Sequence, residues 1–252
     1  MTPLVLALIA GAVVGLALGG LGGGGSVIAV PALIYLLGFG PAAATTAGLL
    51  IVIAISLTGL LAHARDGQVR WRTGGLFAAA GIVPAALAGA LSVRIPSGVL
   101  TAAFAVLAVV AGVRMLRTSG TPQPDGKRPD AVPVGRAAGA GAGLGAVTGL
   151  LGVGGGFLAV PALVTVLAVP MSAAVGTSLL VITVNSTAAL AARLATPTVL
   201  DWALIAPFTA TAVLGAWDGK RLAAKVSTDA LQRIFGAVLL AVAAFMAVDA
   251  VV

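Results

Sequence analysis

The sequence predicts an all-α polytopic membrane protein made of two inverted-topology repeats. Each repeat is a glycine-broken helix pair, re-entrant or short, followed by three transmembrane helices. Three observations predict this. The composition is too poor in charge for a water-facing surface, the chain matches itself at an offset of 130 residues, and its basic residues fall on one side of the membrane only if the copies face opposite ways.

Of the 252 residues, 60% are apolar and 8% charged, whereas a soluble domain carries roughly 25% charged residues. Long apolar stretches recur from end to end, so the lipid bilayer is the partner of the whole chain and not of one anchor. The net charge of +7 and pI near 11.4 invite a nucleic-acid reading. The 14 Lys and Arg are instead scattered over short loops with little aromatic interleaving, a positive-inside pattern, so no nucleic acid is expected. Zero cysteines exclude disulfides and thiolate metal sites. With one histidine and no buried acid pair, the chain offers no catalytic or metal cluster, so neither an enzyme nor a cofactor is expected. Met1, Thr2, Pro3 and Leu4 lack the basic region of a secretory signal, so the first apolar run is expected to be retained.

Residues 21–63 lie over 151–193 without a gap, and 17 of the 43 positions are identical. The core is Leu-Gly-Gly-Gly-Gly-Ser-Val-Ile-Ala-Val-Pro-Ala-Leu from Leu21 against Leu-Gly-Val-Gly-Gly-Gly-Phe-Leu-Ala-Val-Pro-Ala-Leu from Leu151. Such self-similarity is a duplication. It divides the chain into a first repeat (1–117), a linker (118–135) and a second repeat (136–252). The linker holds the one long polar stretch, rich in Pro, Gly and mixed charge.

Each half opens with an interrupted apolar segment, 4–37 and 136–168. As one helix the first would run about 50 Å, far beyond a bilayer's roughly 30 Å. Four consecutive glycines, 22–25, each cost about 1 kcal/mol in a helix relative to Ala. The chain should therefore break there, giving helices over 4–19 and 26–37. Uninterrupted spans follow at 45–62, 73–93 and 97–115, and again at 172–192, 200–217 and 230–248.

Basic residues decide how the interrupted segments run. If each crosses once, the 14 divide nine to five. If each returns to its starting side, Arg65, Arg70, Arg72, Arg114, Arg117, Lys127, Arg128, Arg136, Lys220, Arg221, Lys225 and Arg233 share one side, and only Arg94 and Arg193 the other. Twelve to two is the stronger positive-inside bias. Three full spans per half then turn the second copy upside down, as in secondary transporters that alternate access around a midplane site. A multi-pass inner-membrane protein with both termini periplasmic and the linker cytoplasmic is expected.

A broken helix at membrane depth bares backbone groups, tolerated only where they line a cavity or are buried. At Gly24, Gly25 and Ser26, and at Gly154, Gly155, Gly156 and Phe157, the second short helix begins. Its first N–H groups lack intrahelical partners and carry the positive end of the helix dipole. Two such ends converging from opposite leaflets would make an uncharged, electropositive anion site. Packing is the competing role for most of the 35 glycines. Pro31 and Pro161 are expected to relieve or kink the short helices. Gly20–Gly25 also fits G-x-G-x-x-G, but no strand precedes it and no acid follows about 20 residues on, so it is not a dinucleotide fingerprint.

Polar groups on the next span of each half are further candidates: Thr45, Thr46, Ser56 and Thr58, then Thr177, Ser178, Thr183, Asn185, Ser186 and Thr187. Thr46, Thr177, Ser178 and Asn185 are the ones assigned to substrate, since hydroxyls and an amide can donate to an oxyanion. Helix–helix hydrogen bonding is the bland alternative. His63 and Arg193 end equivalent spans, as gate residues or as helix anchors. Trp71, Trp202 and Trp217 sit at aromatic-belt positions. All seven acidic residues, every one an Asp, lie in loops or near span ends, which suits an anion better than a cation and excludes a buried-carboxylate proton relay.

The paired Gly-rich, Ala-Val-Pro-Ala-Leu segments and the second-half Val-Gly-Thr-Ser-Leu-Leu from Val175 resemble the TauE/SafE family, also called the toluene-sulfonate uptake permease family. The resemblance covers essentially the whole chain. It implies a transporter, often an exporter, of sulfite, sulfoacetate or other organosulfur anions, where the residues alone reach only a small anion. One departure is Thr46-Ala-Gly48, where the second half has Gly176-Thr-Ser178. A structural or assembly subunit, or a permease for another anion such as a carboxylate, are the rival readings. Tightly packed Gly-rich helices also leave a homo-oligomer open.

Overall fold

A computed structural model describes residues 2–22, 24–92, 97–118, 134–151, 156–193 and 200–249. Among these the fold is all helix. α1 (Thr2–Leu21) is followed by α2 (Gly24–Pro31), which widens into a π turn (Ala32–Leu36). Then come α3 (Pro41–Arg65), α4 (Trp71–Ser92) and α5 (Ser97–Thr118). The second half gives α6 (Val134–Leu151), α7 (Gly156–Pro161) with its own π turn (Ala162–Val166), α8 (Met171–Arg193), α9 (Trp202–Ala223) and α10 (Thr228–Asp249). Four of these helices, α1, α3, α8 and α10, are long and apolar enough to cross a membrane. α4, α5 and α9, with 22 residues each, match a bilayer at about 33 Å. Large apolar side chains face outward, Leu87 and Leu214 at 68% exposure and Val83 at 64%, a surface that suits hydrocarbon. This is an all-α polytopic membrane protein.

The predicted kinks at Pro31 and Pro161 take the same form. Proline donates no N–H and crowds the carbonyl four residues back. The helix does not stop at either one; it loosens into a π turn starting at the next residue. Phe39 N–H then donates to Leu33 O (3.0 Å), and Val169 N–H to Leu163 O (2.9 Å), at the offset of the sequence repeat. Both closures need a left-handed residue. Gly38 supplies it with φ 70°, but its counterpart is Ala168 with φ 50°, a conformation that an L side chain resists.

The halves are interlocked. α1 packs most extensively against α9, and α4 against α6, so the first helix of each half lies on the third long helix of the other. Both contacts are glycine seams. A Cβ on Gly11, Gly15 or Gly19 would land on the backbone of Phe208, Ala212 or Ala216, and one on Gly141 or Gly145 on that of Phe77 or Gly81. Residue numbers rise together across each seam, so the paired helices run parallel. Small residues four apart admit this backbone-to-backbone approach.

Equivalent helices meet the other way round. On α3 and α8, Ser56 meets Thr183, Gly59 meets Leu179 and His63 meets Gly176. On α5 and α10, Gly112 faces Gly236, and Gln232 Nε2 donates to Met115 O (3.1 Å). One number rises as the other falls, so both pairs are antiparallel. The α3–α8 crossing falls near the middle of both helices. Two apolar cores flank it, and each draws side chains from both halves.

Two predictions follow from this packing. Gly15→Leu should lose at least about 1–3 kcal/mol to overpacking, measured as a lower melting temperature in detergent, while Gly75→Ala, with nothing within 4 Å of its Cβ position, should melt like the parent. Ala168→Gly should raise the melting temperature by relieving about 1 kcal/mol of left-handed strain, and the mirror change Gly38→Ala should lower it.

Candidate functional site

The first interruption is built by Gly22. α1 ends at Leu21, Gly22 turns with φ 70°, and α2 begins at Gly24. A side chain there would be strained and would also collide: its Cβ would stand 2.6 Å from Ser178 Oγ, 3.2 Å from Val160 Cγ2 and 3.3 Å from Val175 Cα. The break of the first half is thus seated on α7 and α8 of the second. α2 and α7 also pack against one another. Gly24 and Gly25 open α2, and Gly156 opens α7. Gly154 and Gly155, with the side chains of Ser26, Phe157 and Arg193, lie outside the described residues.

α8 carries Ser178, the polar side chain that meets the Gly22 break. Ser178 is fully buried and donates to Val175 O (2.7 Å). Asn185 is seven residues on, on the same face of the helix, and is 8% exposed. Its Oδ1 has no hydrogen-bond partner, and neither has the hydroxyl oxygen of the adjacent, fully buried Ser186. An unpaired buried polar atom costs roughly 1–3 kcal/mol. Such a cost is a reason to look for a ligand.

The other candidates are differently placed. Thr177, fully buried, accepts the backbone N–H of Arg70 (3.0 Å) and touches the start of α4, with its Cγ2 2.8 Å from a Cβ at Gly74. It belongs to a helix–turn contact, away from the stripe of Ser178 and Asn185. Thr46 is buried in the first half of α3. Thr183 and Ser56 join hydroxyls across the α3–α8 crossing at 3.0 Å, and each also reaches a carbonyl of its own helix. Thr58 and Thr187 donate to carbonyls four residues back. Pro31 and Pro161 set the π turns.

A second cluster, at the C-terminal end of α3, was not legible as a unit. Gly67, with φ 67°, closes the helix in a Schellman turn: its N–H donates to Ala64 O and that of Gln68 to His63 O, both at 3.1 Å. This brings the Gln68 side chain back over His63, Oε1 lying 2.9 Å from Nδ1. The other ring nitrogen, Nε2, lies 3.4 Å from Gly19 O near the end of α1. His63 is 5% exposed, a packed side chain and not an interfacial anchor. From α9, Lys220 Nζ donates to Ala62 O and pairs with Asp66 Oδ2, each at 2.6 Å. A cation at a helix C-terminus answers the dipole and its bare carbonyls. Gly176 is glycine because Gln68 O would stand 2.7 Å from its Cβ. The end of α3 therefore ties together α1, α8 and α9. Gln68 carried no sequence signal, and nothing in the sequence pairs position 63 or 66 with 220.

A polytopic membrane bundle in which the short helices α2 and α7 pack against one another has the build of a transporter. The family described as Sulfite exporter TauE/SafE matches residues 7–246, and the chain belongs to that family. It is similar to two proteins of Xylella fastidiosa, each named "Probable membrane transporter protein". The protein of strain 9a5c is 34% identical over 249 residues, 96% of this chain and 94% of the relative. That of strain Temecula1 is 32% identical over 248 residues with the same coverage. No solved structure matches. The chain is a membrane transporter and not an enzyme, as its family and relatives indicate.

Asp66 offers a pH test of the α3 cluster. The hydrogen bond from Lys220, then its charge, and more weakly the charge of His63 hold the carboxyl below its ordinary 3.8, against a small opposing effect of burial. A lowered carboxyl stabilises the fold above its unfolded-state value and loses that contribution as pH falls through the folded-state one. Asp66→Asn should therefore melt below the parent at neutral pH, and the gap should close below pH 3.8 in thermal scans.

Proposed function

We propose that the protein is a secondary transporter, working as an exporter, of small anions, with sulfite or an organosulfonate as substrate. The anion would be held near the bilayer midplane by the half-helix N-termini of α2 and α7, with alternating access supplied by two inverted repeats, 1–117 and 136–252, joined by a linker. The observation that carries the reading is the seating of the first break, at Gly22, on Val160 of α7 and Ser178 of α8. An anion there would meet the first N–H groups and the positive ends of helix dipoles. The Asn185 amide and Ser186 hydroxyl, buried with oxygens unpaired, would supply further hydrogen bonds. O and N of an amide are assigned by context, so Asn185 can present its NH2 group to an oxyanion. The family description supports the sulfur-oxyanion class.

The antiparallel meeting of α3 with α8 and of α5 with α10 supports the inverted arrangement. The twelve-to-two partition of basic residues supports an inner-membrane orientation with periplasmic termini and a cytoplasmic linker. In this reading Ser178 and Asn185 would meet the substrate, Thr46 and Thr177 would stand behind them, and His63 and Arg193 would serve as gates.

Flux in proteoliposomes tests this. The native chain should carry sulfite or a sulfonate saturably and in preference to carboxylates. Asn185→Leu should cut that flux about tenfold or more, the worth of one good hydrogen bond to a charged ligand, without lowering the melting temperature. Flux for no small anion would overturn the transport reading, and preference for carboxylates the substrate class. Full flux in Asn185→Leu would move the site elsewhere.

A further inference from the structure

We propose that the Ser186 hydroxyl contacts the transported anion, and that Thr187, on the exposed side of α8, is a positioning residue that keeps this hydroxyl free to do so. This rests on the anion-transport reading above and adds to it a residue that touches no substrate. Ser186 is fully buried, and its oxygen has no partner. Its isolation has a cause in the residues around it.

A serine inside a helix ordinarily satisfies its hydroxyl on a carbonyl about one turn back. Two buried serines here do so at the same spacing: Ser56 donates to Ile53 O (3.2 Å) and Ser178 to Val175 O (2.7 Å). For Ser186 the matching acceptor is Thr183 O. That carbonyl already accepts the Thr187 hydroxyl at 2.7 Å. Inside α8 it also accepts the Thr187 N–H of the helical ladder. A carbonyl oxygen has two lone pairs, so both are taken. In the first half the counterpart of Thr187 is Leu57, exposed and apolar. Leu57 leaves the Ile53 carbonyl to Ser56.

The facing helix offers no partner either. Across the α3–α8 crossing, Ser56 meets the hydroxyl of Thr183 at 3.0 Å. The offset of 130 residues that relates the repeats turns this pair into Ser186 and Ile53. The antiparallel register gives the same match, three residues back on α3 and three further along α8. Ile53 has no hydroxyl to offer. Two departures from the first half, at 53 against 183 and at 57 against 187, thus deprive one buried hydroxyl of both its usual partners. Next to it, Asn185 stands where the first half has Ile55. The α8 side of the crossing therefore carries more polar groups than its counterpart and fewer partners for them. A hydroxyl held in this way can donate to an oxyanion without first breaking an internal bond.

Sulfite flux in proteoliposomes and melting in detergent test this together. Thr187→Val keeps the shape of the side chain and removes its hydroxyl, so Ser186 can turn to Thr183 O. The half-saturating sulfite concentration should then rise about fivefold, the worth of one neutral hydrogen bond, with the maximal rate unchanged. Without anion, the melting temperature should rise by about 2–4 °C as the buried hydroxyl is satisfied. Thr187→Ser, which restores the hydroxyl, should restore the parent half-saturation. Ser186→Ala should raise half-saturation about tenfold, and adding Thr187→Val to it should change nothing further. An unchanged half-saturation or a lowered melting temperature in Thr187→Val overturns the proposal. So does an equal rise with and without Ser186. A native chain that carries no sulfite overturns the underlying anion reading instead, so the two failures are told apart.

Discussion

In hydrocarbon, an apolar side chain gains little by leaving lipid for a neighbouring helix, because lipid is as apolar as the protein. Helices hold together there through close contact, and the closest contact needs the smallest residues. Here that condition is met along the α1–α9 and α4–α6 seams, where glycine lets one backbone rest on another. Everything else is positioned by them. With α1 fixed on α9 and α4 on α6, α3 and α8 are left to cross in the centre, and the short helices α2 and α7 are brought together beside them.

The central crossing is polar in a way that spans of this kind avoid unless they use it. Most of its hydroxyls are satisfied locally by carbonyls of the preceding turn, which leaves them neutral as far as a ligand is concerned. Asn185 and Ser186 are the exceptions. They lie on α8 about two helical turns beyond Ser178, the side chain that meets the break at Gly22.

The break at Gly22 and the repeated proline were legible in the sequence because each has a strong local cause; the second predicted break, at 152–155, lies outside the described residues. Four glycines in a row are poor helix, and a proline ten residues after the start of the glycine motif recurs at the same offset. The ends of the helices were not. Hydropathy falls at Arg65 and Lys220, but hydrogen bonding does not, so α3 and α9 run further than their apolar stretches. The π turns were hidden too, since a proline signals disturbance without saying whether the helix breaks or widens. Most of all, Gly19 and Gly22 look alike in the sequence, three residues apart. One is glycine because Ala216 lies against it, the other because the chain must turn. Only the partner tells them apart. The same holds for His63, whose Gly19 contact is 44 residues distant.

The crossed pairing of the halves has a historical corollary. A half-length chain with this sequence would have its first helix exposed along a glycine face and nothing to lay on it, so it would be stable only beside a second copy. Because equivalent helices meet head to tail, that second copy would have had to insert the other way up. Fusion into one chain removes the requirement for a single gene product to adopt both orientations, and lets the two copies diverge, as Gly38 and Ala168 already have.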